Sequence, residues 1–439
     1  MNVRFGVRHV TSATLCALLL FTGVHCSISL YASLPVALAD EPPLATKPTA
    51  QQPISQQVLL GSDRLFEPAY LDALKGKRVG ILAHAASRTH DGTHVVDWVA
   101  SHHEFDLKMI FAPEHGYRSV DDTLLPDSQD PMTGLPVYSL YGPRKAPTDE
   151  MLSQLDAVLI DLQDVGLRYY TYPATLVYTL RACQKNGTKV FILDRPNPLG
   201  GSVVDGALLD SSLANGSLTT LAAVPTRHGM TLGELAILYN KMLGIGADVT
   251  VVPMSGWNRS MLWDDSKLQW VPPSPALTTP EQTYLYALFG TLESANLAVG
   301  RGKTNEFAFH IFGAPWITQE KGMILVKELQ QLSLPGLQFQ YVSWVPNRDI
   351  FLGKLCRGFR VDVTNPSKLE GFRSLILVLE KMKSVLGASF DTKGLLAMLG
   401  ADWLKSGIDA GTPVNELMER ASRENQDFMK LRQEALIYP

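Results

Sequence analysis

The chain has 439 residues, of which 46% are hydrophobic and 19% charged, and a formal net charge of −4. The composition is that of a globular protein, and the length favours two cores over one. The slight acidity argues against nucleic acid or an anionic membrane surface as the main partner.

At the start, Arg4 and Arg8 precede an apolar stretch that ends in Ala37-Leu38-Ala39. A basic opening, an apolar middle and an A-x-A exit predict a Sec-type signal peptide over residues 1–39, with an uncleaved anchor as the alternative. Residues 40–57, rich in Pro and Gln, predict a disordered tether. The expected location after cleavage is the periplasm or the exterior, with no stable membrane insertion. Past the leader only Cys183 and Cys356 remain, which fits neither a disulfide framework nor a metal signature.

From about Leu71 apolar runs alternate with amphipathic ones. Strands are predicted at 78–84, 107–112, 156–162, 189–194 and 248–254, and helices at 93–103, 174–187 and 231–244. The last helix carries a capping box, Thr231 with Glu234, and ends near Gly244. Continuous apolar strands separated by helices predict an α/β fold, a Rossmann-like parallel sheet with helices on both faces, over 58–255. A proline-laden segment at 270–280 crosses into less regular sequence. A strand near 359–364 and helices at 372–387 and 413–438 predict a smaller C-terminal α+β domain over 256–439.

Three predicted strands end in polar clusters. The first carries Glu114, His115 and Arg118; the second Asp161, Gln163, Asp164, Arg168, Tyr169, Tyr170 and Tyr172; the third Asp194, Arg195 and Asn197. In a parallel sheet the carboxyl ends share one edge, where ligands bind, so topology gathers the clusters. The G-x-G-x-x-G, P-loop, G-x-S-x-G and H-E-x-x-H signatures do not occur. Carboxylates, arginines and tyrosines suit glycoside chemistry, in which two carboxyl groups flank the scissile bond. Each residue also has a structural alternative. Glu114 could cap a helix, His115 could be a satisfied core histidine, Asp161 and Asp194 could hold loops, and the tyrosines could be packing.

The segments "FAPEHGYR", "DLQDVGLRYYTY", "LDRPNPLGG", "VPTRHGMTLGELAILYN", "WVPPSPALTTP", "ESANLAVGRGKTNEF" and "FGAPW" resemble, in order and close to spacing, the exo-β-N-acetylmuramidase family (NamZ-type). The resemblance implies a Rossmann-like catalytic domain with an appended smaller domain and a cleft between them. It implies release of N-acetylmuramic acid from the non-reducing ends of peptidoglycan-derived glycans; with the nucleotide and zinc signatures missing, no cofactor or metal is expected. Glu114 of P-E-H-G is then the expected acid, oriented by His115 or a tyrosine, and Glu293 or Asp164 the base or stabilising carboxylate. Arg168, Arg195, Arg227 and Arg301 become candidates for the lactyl carboxylate, with Tyr169, Tyr170, Tyr172, Asp194, Asn197, His228 and Asn296 also in the substrate-binding set.

The family pattern E-G-T-N-x-S-x-G-R-G reads "ESANLAVGRG" here, so Ser294, Ala295 and Ala298 replace Gly, Thr and Ser. Ala276 likewise replaces the Asn of P-P-S-P-N, and Ala83-His84 stands in place of T-N. These changes spare the carboxylates and alter the pocket wall. The competing readings are a non-catalytic envelope muropeptide- or sugar-binding protein, a cofactor-dependent sugar enzyme, and a hydrolase of another envelope glycan.

Overall fold

Residues 57–118, 123–348 and 350–439 are described by a computed structural model of the chain. The expected signal peptide, and the tether except for Gln57, lie outside the described residues.

Each apolar run between residues 78 and 252 forms a strand because its side chains can be buried on both faces of a sheet. The strands are β1 (Arg78–Ala83), β2 (Asp106–Ala112), β3 (Ser128–Gln129), β4 (Pro136–Ser139), β5 (Ala157–Asp161), β6 (Lys189–Leu193) and, beyond the hairpin β7 (Asp205–Leu208) and β8 (Pro225–Arg227), β9 (Val249–Val252). Seven of them form one sheet in the order β3-β4-β2-β1-β5-β6-β9. Its pairings are parallel except at the edge, where β3 runs antiparallel to β4. That edge strand has two exposed residues and no apolar run, which is why the sequence pattern did not reveal it.

The faces alternate with period two. Val79, Ile81, Ile110, Ala112, Leu159 and Phe191 pack with Val95, Val96 and Val99 of the helix Val95–Ala100. Leu82, Met109, Phe111, Val158, Ile160 and Ile192 pack with the helices Tyr172–Asn186 and Leu232–Met242. The expected Thr231–Glu234 capping box is present, and Gly187 ends its helix at φ 67°.

The smaller C-terminal part holds an antiparallel sheet in the order β10 (Ile311–Ala314), β12 (Cys356–Val363), β11 (Leu337–Trp344). The helices Gln319–Gln331 and Gly371–Leu386 cover it. Phe312, Phe339 and Phe359 of this sheet belong to the same continuous apolar core as Val158 and Ile160. The last helix, Val414–Gln433, turns back onto the first part: Asn425 donates to the Gly206 carbonyl at 3.0 Å and Arg432 to that of Gly229 at 2.8 Å.

Candidate active site

The chain leaves β2 through Pro113 and Glu114 and reverses on two successive left-handed residues, His115 (φ 71°) and Gly116 (φ 90°). Beyond the turn Arg118 forks onto Asp97 of the helix Val95–Ala100 at 2.5 Å and onto Asp130, just after β3, at 2.6 Å, fastening the loop to both. Glu114 is half-buried. Its Oε2 accepts a hydrogen bond of 2.7 Å from Thr171 Oγ1. Thr171 occupies the N-cap of the helix Tyr172–Asn186 yet makes no side-chain cap, because its hydroxyl serves the glutamate instead.

Behind the turn stands a buried relay. The Gln163 backbone N–H donates to His84 Nε2 at 3.0 Å, and burial holds the His84 pKa well below its ordinary value, so the ring is neutral and its proton is on Nδ1. Nδ1 lies 3.1 Å from the Tyr172 hydroxyl, which in turn donates to the Pro273 carbonyl at 2.9 Å. Tyr170 donates to that carbonyl as well, at 3.2 Å. The expected tyrosines thus tie the proline segment to the rim of the sheet.

The opposite wall comes from the helix Pro280–Phe289, whose start is fixed by a Thr279–Gln282 capping box, and from the 3-10 turn Gly290–Ser294 that carries Glu293. Tyr286 Oη lies 3.5 Å from Glu293 Oε1. Burial first, then the neighbouring Glu293 carboxylate, holds its phenol well above the usual tyrosine range, so it stays protonated beside that acid. A Cβ on Gly290 would come within 2.5 Å of the Tyr286 ring, which explains the glycine there. Between the walls lies a cleft of about 810 Å³, lined by Glu114, His115, Tyr169, Tyr170, Glu293 and Arg301 together with Thr171, Tyr286 and Phe309.

The remaining candidates lie outside that lining. Asp164 is buried, accepts from the Gly166 N–H at 2.9 Å and stands 3.6 Å from His228 Nε2, which is itself fully buried. Arg168 donates to the carbonyls of Thr219 (2.8 Å) and Met398 (2.7 Å), and burial lowers its pKa to about 10. Asp194 accepts from Thr231, Gly233 N–H and Tyr438, and Arg195 pairs with buried Asp161 at 3.0 Å. Asn197 donates to the Met230 carbonyl at 3.0 Å. Arg227 donates to the Leu199 carbonyl and lines a separate cavity of about 550 Å³. Asn296 donates to the Ser389 carbonyl at 2.9 Å, and Tyr172 lies behind the cleft wall. Asp161, Asp164, Arg168, Asp194, Arg195, Asn197 and His228 are buried, and their hydrogen bonds and ion pairs run to backbone and to other side chains of the protein.

Residues missed in the sequence are Thr171, Tyr286, Ser274, Thr219, Phe309 and Met398, all of which line the cleft. A threonine directly before a Tyr-Pro helix start was a readable signal for Thr171. Tyr286 lies on a helix that was not predicted. Among the described residues, Glu281, His310 and Asp362 bring ligand-type atoms within 4.8 Å of one another, but Arg360 forks onto both Asp362 oxygens and Glu281 accepts from the Val363 N–H.

A Rossmann-like sheet with two carboxylates, tyrosines and an arginine on one cleft holds the groups that glycosidase chemistry uses. Residues 79–281 match the family described as exo-β-N-acetylmuramidase NamZ, N-terminal, and residues 284–438 its C-terminal counterpart. The peptidoglycan β-N-acetylmuramidase NamZ of Bacillus subtilis (strain 168) is 37% identical over 410 residues, 92% of this chain and 96% of that protein. Two crystal structures of DUF1343 family proteins from Bacteroides fragilis NCTC 9343 superpose with TM-scores of 0.78 and 0.70 at 27% identity, each covering 87% of this chain and 99% of the other. The chain belongs to the exo-β-N-acetylmuramidase NamZ family and is a glycosidase.

Proposed function

We propose that the chain is an exported exo-acting hydrolase that removes N-acetylmuramic acid from the non-reducing ends of peptidoglycan-derived glycans. The observation that carries this reading is the presence of Glu114 and Glu293 on one cleft, with the Tyr286 hydroxyl 3.5 Å from Glu293. Glu114 is the general acid. The Thr171 hydroxyl holds its Oε2, which leaves Oε1 to carry the proton delivered to the leaving oxygen. Glu293 is the second carboxylate, acting as base or stabilising the developing oxocarbenium charge, with Arg301 beside it. Tyr169 and Tyr170 offer ring faces to the sugar. The relative from Bacillus subtilis supports the choice of substrate, and the basic-apolar leader ending at Ala39 supports export.

The test is product analysis. Wild-type protein digesting peptidoglycan fragments should release free N-acetylmuramic acid. Glu114→Gln should lower the rate about a hundred-fold or more, with an unchanged melting temperature. A variant that keeps most of its activity removes Glu114 from the acid role.

A further inference from the structure

Asn296 was expected among the substrate-binding residues, yet it does not line the cleft that holds Glu293. Its amide makes two hydrogen bonds to backbone 93 and 95 residues further along the chain: Nδ2 donates to the Ser389 carbonyl at 2.9 Å, and Oδ1 accepts from the Asp391 N–H at 3.0 Å. A planar amide bonded at both ends cannot rotate without losing one of the bonds. The same stretch meets the Glu293 turn a second time. A Cβ on Gly394 would come within 1.9 Å of the Ser294 carbonyl oxygen, so backbone lies on backbone one residue after Glu293. From there the stretch runs through buried Leu395 into the short helix Leu396–Leu399, whose Met398 lines the cleft. Its far end is held by Arg168, three residues before Thr171 and the hydrogen bond to Glu114. Residues 389–400 therefore form a bracket, with one foot on the turn of Glu293 and the other beside the segment that holds Glu114.

We infer that Asn296 is a positioning residue for Glu293: by clamping the turn Gly290–Ser294 onto this bracket, it fixes where the second carboxylate stands across from Glu114. The assignment rests on the proposed reading of Glu293 and goes beyond it, because Asn296 acts from outside the cleft. The link between the two side chains is short. Three residues separate them, and the Ala295 N–H closes that interval by donating to the Leu292 carbonyl at 3.0 Å. A turn freed from the bracket leaves the sheet and its core untouched but lets the carboxylate wander, and a shift of about 1 Å at a reacting group costs up to about a hundred-fold in rate.

Rates of the full chain on an aryl β-glycoside of N-acetylmuramic acid, arranged as a double-mutant cycle, separate this role from a substrate contact and from a purely structural one. Asn296→Ala should lower kcat about ten-fold or more and leave KM within about two-fold. Gly394→Ala, which pushes the same turn from the other side, should show the same split. In a Glu293→Ala background each substitution should change kcat by less than about two-fold, because the group through which it acts is gone. The whole loss repeated on Glu293→Ala, a raised KM at wild-type kcat, or wild-type kinetics in Asn296→Ala each overturn the assignment. Thermal melts accompany every rate. Where Asn296→Ala does not melt cooperatively, Asn296→Asp, which keeps the acceptor for the Asp391 N–H, takes its place in the cycle. An inert wild type, or Glu293→Ala at full rate, sinks the proposed catalytic reading and this one together. A crippled Glu293→Ala beside a fully active Asn296→Ala sinks this one alone.

Discussion

Glu114 was legible in the sequence as a carboxylate at a strand end, but the residue that positions it was not singled out. Thr171 lies among three tyrosines that drew attention, and its hydroxyl reaches Glu114 Oε2 at 2.7 Å. Thr171→Val keeps the shape and removes that donor. It should lower kcat about ten-fold with KM little changed, because an unheld carboxyl samples unproductive rotamers. Initial rates on an aryl glycoside, with a thermal melt as control, check this. Melting near the wild-type temperature with wild-type kcat would leave Thr171 no positioning role. The residues that sequence reasoning placed in the site but the fold puts elsewhere, Asp164 and Asp194 among them, are of the same chemical types as those in the cleft. Chemical type at a strand end says that a polar group is needed there, not whether a ligand or the protein's own backbone satisfies it.

Among the elements, those with strong periodicity were readable within a residue or three of their ends at most starts, as for β1, β2, β6 and the helix Leu232–Met242. The helix Pro280–Phe289 was not, because it is buried almost all the way round, polar residues included: Gln282, Thr283, Tyr284, Leu285, Tyr286, Leu288 and Phe289 are all buried. A helix buried on every side has no polar stripe to mark its period. That helix carries Tyr286, so the loss of one element hid one wall of the cleft. Arg168 shows the converse. Its guanidinium caps the carbonyl end of the short helix Leu396–Leu399 through Met398 and Ala397, joining segments some 230 residues apart. Arg168→Met should therefore destabilise the fold by about 2–4 kcal/mol through buried carbonyls left unpaired. Urea denaturation measures it. A direct substrate contact would instead raise KM at unchanged stability.

At the scale of the whole molecule the chain closes on itself. Tyr438, next to the last residue, donates to Asp194 at 2.6 Å at the carboxyl end of β6. Burial pushes Asp194 up to about 6, against 3.8 for the free side chain. Between those pH values the folded chain binds more protons at this carboxyl than the unfolded chain does. Its contribution to stability is thus fully present below pH 3.8 and lost as the pH rises through 6. Unfolding free energies of wild type and Asp194→Asn should accordingly diverge in favour of the wild type by about 2 kcal/mol on going from pH 7 to pH 4. A difference that stays flat across that range would mean Asp194 is as easily ionised in the fold as outside it. The sequence by itself determined five of the seven strands of the sheet and the helices that flank them, since periodicity is a local property, and it marked the edge where polar groups collect. Only the tertiary structure decided which of those groups open onto the cleft. A side chain at a strand end is left open or covered by what packs above it, and here the covering pieces, from the proline segment to Tyr438, come from about a hundred or more residues further along the chain.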